Sequence, residues 1–150
     1  IYANFYLNNG ALAAKDVRAW LELVKWDRDD ALFLVLIGYF SHRQIGQAAE
    51  AQQLLELAAQ RGDKAAWPYP LLRYLQGEIP ASSVLELATN NDRLTEVHGW
   101  LGKEALLTGK RAAALKYFRW VKENGNKQFI EYTFSLLELA RLEKDAGKVQ

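Results

Sequence analysis

The sequence predicts an all-α protein assembled from about four antiparallel helix hairpins and a terminal helix. Three observations lead there. Alanine, leucine, glutamate, lysine, arginine and glutamine dominate the 150 residues, β-branched residues are sparse, and prolines occur only at positions 68, 70 and 80. The dominant residues are those that cost least in a helix interior. Turn-forming clusters fall at Asn8-Asn9-Gly10, Asp27 to Asp30, Gly46, Gly62-Asp63, Gly77 to Pro80, Asn90 to Asp92, Gly109 and Asn124 to Asn126, roughly 12 to 18 residues apart. Connections this short force neighbouring helices to reverse direction. Gly10, Gly46, Gly77 and Gly109 also recur at intervals of 36, 31 and 32 residues, a period in the range of helical repeats.

The units follow in order within one expected domain, 1–150. The first, about 1–30, offers Ala3, Tyr6 and Gly10 and then drifts by one or two residues. The second, 31–63, opens on the apolar run Ala31 to Phe40, turns at Gly46 and continues through Ala51, Leu55 and Ala58. The third, 64–92, is degenerate, with Pro68, Pro70 and a short second helix near Ala81 to Thr89. The fourth, 93–126, is the most regular: Gly102 lies seven before Gly109, with Ala114, Phe118 and Val121 five, nine and twelve after it. From Gly46 the same forward offsets give Ala51, Leu55 and Ala58, and Gly38 lies eight before.

Each periodic glycine is expected at the turn between a first and a second helix, where a left-handed residue is often needed. The small residues before and after it let the two helices approach closely, and the apolar positions beyond lie on the buried stripe. One such hairpin cannot bury its own face, so the units are expected to stack. The terminal helix, 127–145, reads KQFIEYTFSLLELARLEK from Lys127. Its apolar residues spread over roughly 220° of the helical wheel, against about 100° for an ordinary surface helix. One side is expected to cover the fourth hairpin. Phe129, Ile130, Tyr132 and Phe134 are the candidates for a further contact, with self-association among the options.

These offsets resemble the tetratricopeptide repeat, a helix-turn-helix unit with small residues at its eighth and twentieth positions. Leu101-Gly102, Gly109, Ala114 and Phe118 match the pattern, as do Ile37-Gly38, Ala51 and Leu55 with one extra residue before Gly46. Asp27-Arg28-Asp29-Asp30 resembles the inter-repeat turn with arginine in place of proline, His98 occupies the tryptophan slot, and Asn126 replaces the closing proline. The resemblance covers Ile1 to about Asn126. It implies a right-handed superhelical solenoid whose first helices line a concave groove for a peptide or helix. Carried onto this chain, the groove positions are Leu32, Val35, Tyr39, His42 and Arg43 in the second unit and Glu96, Gly99, Lys103, Leu106 and Leu107 in the fourth, with Trp67, Leu71 and Tyr74 in the third. The expected groove is apolar and aromatic, with Arg43 and Lys103 as its cationic points. A chaperone-type carboxylate clamp is not expected, since Val35 and Tyr39, then Glu96 and Gly99, stand where it needs lysine, asparagine and basic residues. The terminal helix is similar to the last helices of bacterial repeat proteins of the NlpI lipoprotein type, which implies an envelope adaptor.

Composition bounds the function. Half the residues are apolar, a quarter charged and the net charge is +1, so no global charge draws the chain to nucleic acid or an anionic membrane. No cysteine is present, which removes disulfides and thiolate chemistry and leaves cytoplasm and bacterial periplasm both open. No segment approaches the roughly 20 apolar residues of a bilayer-crossing helix. The chain begins at Ile1 and contains no methionine, so it is expected to be processed or part of a longer protein.

The stretch GWLGKEALLTGKRAAALKYFRWV, 99–121, suggests a phosphate loop but fails its spacing. Six residues rather than four separate Gly102 from Gly109-Lys110, and Arg111 stands where serine or threonine is needed. Lys116 and Arg119 share a helical face with Lys122 close by, a solvated outer face or a patch for an acidic peptide or phosphate backbone. His42 and His98 lie 56 residues apart and form no metal or triad pattern; His98 is expected to pack and His42 to face ligand or solvent. Asp27, Asp29 and Asp30 lack the glycine of a calcium loop and suit a helix start. Arg61-Gly62-Asp63 spells an integrin tripeptide in an expected turn. No cofactor is called for. The sequence therefore points to a non-enzymatic adaptor for a protein partner, with a regulatory or substrate-recruiting domain of a larger enzyme as the alternative.

Overall fold

The computed structural model describes residues 1–24, 26, 28 and 30–146, and among them every regular element is a helix. In order these are α1 (Tyr2–Tyr6), α2 (Gly10–Val24), α3 (Ala31–Gln44), α4 (Ala48–Arg61), α5 (Tyr69–Leu75), α6 (Ala81–Leu87), α7 (Asn91–Leu107), α8 (Arg111–Asn124) and α9 (Ile130–Ala146). The all-α expectation holds. The chain forms two compact units, Ile1–Pro80 and Ala81–Gln150, divided inside the third expected hairpin. Asp27 and Asp29, from the expected carboxylate cluster, lie outside the described residues. Asp30 stands at the N-cap of α3 and accepts from Arg28 Nε at 3.2 Å.

Three of the four periodic glycines take the left-handed turn expected of them. Gly46, Gly77 and Gly109 have φ of 76°, 77° and 73°, the left-handed region in which a side chain is strained. Each turn closes alike. The residue after the glycine donates its N–H to the carbonyl five positions back, Gln47 to His42 at 2.9 Å, Glu78 to Arg73 at 2.9 Å and Lys110 to Ala105 at 2.8 Å. That is the Schellman closure, which satisfies the last carbonyls of the preceding helix. Gly10 departs from the expectation: it starts α2, and the left-handed residue of the first turn is Asn8, at φ 57°. Gly10 is needed for closeness instead, since a Cβ there would sit 2.8 Å from the Ser41 carbonyl oxygen.

In unit 1, α3 packs against both α2 and α4, which is why Ala31 through His42 are buried apart from Phe33. Gly38 makes that crossing possible: a Cβ would meet Leu54 of α4 at 2.6 Å and Val17 of α2 at 2.9 Å. In unit 2, α7 pairs with α8, and α9 packs on both. Gly102 leaves the space into which Phe118 fits, since a Cβ would lie 2.7 Å from Cδ1 of that ring. Asn126, at the position where the resemblance would place a proline, donates its backbone N–H to Thr95 Oγ1 at 2.9 Å and its side-chain amide to Asp92 at 2.8 Å. Proline has no N–H for the first of these bonds.

Candidate functional site

The most extensive concavity described in unit 1 runs between α2 and α4, the two helices that flank α3. Three adjoining hollows of about 400, 770 and 360 Å³ share Ala14, Arg18, Glu22 and His42 at one junction and Trp26 and Arg61 at the other. Together they form one groove from Gln47 to Ala66. Its apolar lining is Val17 and Leu21 of α2, both buried, with half-buried Leu54 and exposed Leu57 of α4. Those positions follow the 3.6-residue period, so each helix turns one stripe toward the other across α3. Arg18 and Glu22 rise from α2, Glu50 and Arg61 from α4, giving walls of mixed charge. Leu57 is 38% exposed.

His42 lines this groove. It lies one helical turn after Gly38 and so faces the same way, toward α2 and α4. It is buried, with Nδ1 2.8 Å from Gln47 Oε1. Of the other second-unit candidates, Leu32 lines the same groove toward Ala66. Val35 and Tyr39 are inside. Arg43 is half-buried, donates to the Tyr39 hydroxyl and lies 5.5 Å from that ring's centroid. Trp67 and Tyr74 are half-buried and Leu71 is buried.

The expected cationic point Lys103 is corrected outright. It is 2% exposed, and its Nζ lies 2.5 Å from Oε1 of Glu138, which Arg141 also approaches at 3.1 Å. The covering element is α9, which lies against the same side of α7: a Cβ on Gly99 would meet Glu131 Cβ at 2.9 Å. Phe134, a candidate for self-association, is likewise interior, 1% exposed with its ring 4.9 Å from that of Trp100. Phe129, Ile130 and Tyr132 remain half-exposed. The inward face of α9 is instead Glu131, Phe134, Ser135, Glu138, Leu139 and Leu142.

Two carboxylates missed in the sequence thus sit in the core of unit 2. Burial, reinforced by Glu96, pushes the Glu131 carboxyl up to about 8, against the opposing influence of the Trp100 indole. Burial also lowers Lys103 despite the attraction of Glu138. His98 packs as expected, stacked on Trp120 at 3.8 Å with its Nδ1 2.8 Å from the Leu94 carbonyl oxygen. Burial lowers its pKa from 6.5, and Lys116 adds to the effect.

Among the described residues, no group of three histidines or acids is placed to hold a metal, and no helix is long and apolar enough to cross a membrane. No protein-family model matches the chain, and no solved structure gives a significant match to it.

Proposed function

We propose that the chain is a non-enzymatic protein-interaction scaffold of the tetratricopeptide type, its hairpins stacked as a right-handed superhelical solenoid, and that the α2–α4 groove holds a helix or extended segment of a protein partner. The groove carries this reading. Glu50 to Arg61 along α4 spans about 16 Å at 1.5 Å per residue, room for roughly three turns of a helix. Apolar residues line it and both signs of charge occupy its walls, the arrangement that accepts an amphipathic segment through spaced apolar anchors. The repeat assignment is supported by the three like-closed glycine turns and by Gly62 and Gly125, each sixteen residues after its turn glycine. Both are extended residues that follow a second helix, and a Cβ at either would strike the carbonyl oxygen four residues back.

The test is a selection of displayed random peptides on the immobilised protein. Enriched sequences should carry apolar residues at helical spacing, lose at least tenfold in affinity with Leu57→Asp and keep it with Leu23→Asp, a residue 79% exposed that does not line the groove. Equal binding to both variants would refute the assignment.

A further inference from the structure

Unit 2 presents a second concavity, on the outer side of α8. It encloses about 710 Å³ and is floored by Ala112 and Ala113 of α8 with Leu85 of α6. Tyr117 and the stacked pair His98 and Trp120 form its aromatic side. Lys116 and Arg119 stand over it, and both are exposed. Exposed Lys122 follows Arg119 three residues on, next to it on the helix surface. Among the described residues none of these three cations makes an ion pair. Glu123 is the single acid at the lining.

We infer that this surface docks an acidic amphipathic helix of a protein partner, its carboxylates over Lys116, Arg119 and Lys122 and an apolar side chain seated on Ala112, Ala113 and Leu85. Charge complementarity fixes the sign of the occupant. Exposed cations without partners lose little hydration when a carboxylate meets them, and they steer an acidic segment during approach. The small floor residues fix its shape, since two alanines leave depth for one large apolar side chain. A nucleic-acid strand fits less well. Base platforms need open ring faces along a cationic track, and here the imidazole and indole planes lie 12° apart with centroids at 3.8 Å, each covering a face of the other. The proposal involves a different unit from the α2–α4 groove and stands or falls separately.

His98 supplies an internal reporter. The Lys116 charge helps to hold its pKa down, so carboxylates brought to Lys116 must move it upward. The experiment titrates the full chain with a synthetic 14-residue helical peptide that has glutamates at i, i+4 spacing on one face and leucines on the other. Fluorescence anisotropy reads affinity and imidazole NMR reads His98. Expected are micromolar binding that weakens with added salt, an upward shift of the His98 midpoint, and at least a tenfold loss of affinity in Lys116→Glu/Arg119→Glu. Those side chains are exposed, and an unchanged melting temperature verifies that the variant folds. A peptide with lysine for glutamate, and one with the leucines replaced by serine, should each bind at least tenfold more weakly. Equal binding of the acidic peptide to wild type and the charge-reversed variant would overturn the proposal. So would tighter binding of a 20-nucleotide oligouridylate than of the peptide at the same surface.

Discussion

Replacing Glu131 by glutamine should make the protein more stable in alkaline solution and nearly unchanged in mild acid. Glu131 is 2% exposed, faces Gly99 of α7 and has Glu96 as its charged neighbour. Its carboxyl is therefore held protonated in the folded state up to about pH 8, against an ordinary value of 4.5. Between these values the folded chain binds a proton that the unfolded chain has released, so stability falls as pH rises through that window and levels off above it. At 1.36 kcal/mol per pKa unit, the loss is on the order of a few kcal/mol. Glutamine keeps the shape of the protonated acid and cannot ionise. Urea unfolding followed by tryptophan fluorescence at pH 5 and pH 9 checks this. The variant should lie within about 1 kcal/mol of wild type at pH 5, within the range of a single hydrogen bond, and gain about 2 to 4 kcal/mol relative to it at pH 9. The same difference at both pH values would refute the reasoning, because it would mean that ionisation of Glu131 is not what folding opposes.

Three further predictions follow from the same unit and its turns. Lys103→Met should cost about 3 to 5 kcal/mol by leaving Glu138 buried and short of a partner, whereas Lys103→Met/Glu138→Leu should recover most of that loss; a double variant no better than the single, by urea unfolding, contradicts the ion-pair account. Gly102→Ala should cost about 1 to 3 kcal/mol through overlap with Phe118, and thermal unfolding of Gly102→Ala/Phe118→Leu should show partial rescue. Gly109→Ala should cost about 1 to 2 kcal/mol because φ is 73° with open space around it, and Gly109→Asn should cost less; equal losses would remove backbone strain as the cause.

What was legible in the sequence was local. A left-handed turn is a property of one residue and its neighbours, so Gly46, Gly77 and Gly109 declared themselves by recurrence, while Gly10 was misread because Asn8, two residues earlier, takes that conformation. The close approaches at Gly38 and Gly102 followed from the same spacing. The ion pair of Lys103 with Glu138 was not legible, since the partners lie 35 residues apart and nothing in the repeat pattern places α9 over α7. The apolar spread of the terminal helix misled for a related reason: α9 turns Glu131, Ser135 and Glu138 inward with Phe134, and hydrophobicity alone cannot mark a buried acid. His42 illustrates helix phase. The resemblance groups it with Tyr39 and Arg43 on an expected concave face, but it follows Gly38 by one turn, and a Cβ on Gly38 would meet Val17 and Leu54. That phase was present in the sequence and points to the groove lined by Arg18, Glu22, Leu54 and Leu57, on helices that the resemblance did not single out.

Amide chemical-shift mapping of the labelled protein with a selected peptide tests whether a partner segment enters between α2 and α4. Entry there should shift residues 14–22 and 50–61 and change the His42 ring, which lines that groove. Shifts centred on Tyr39, Arg43 and Tyr74, with 14–22 and 50–61 unmoved, would contradict it.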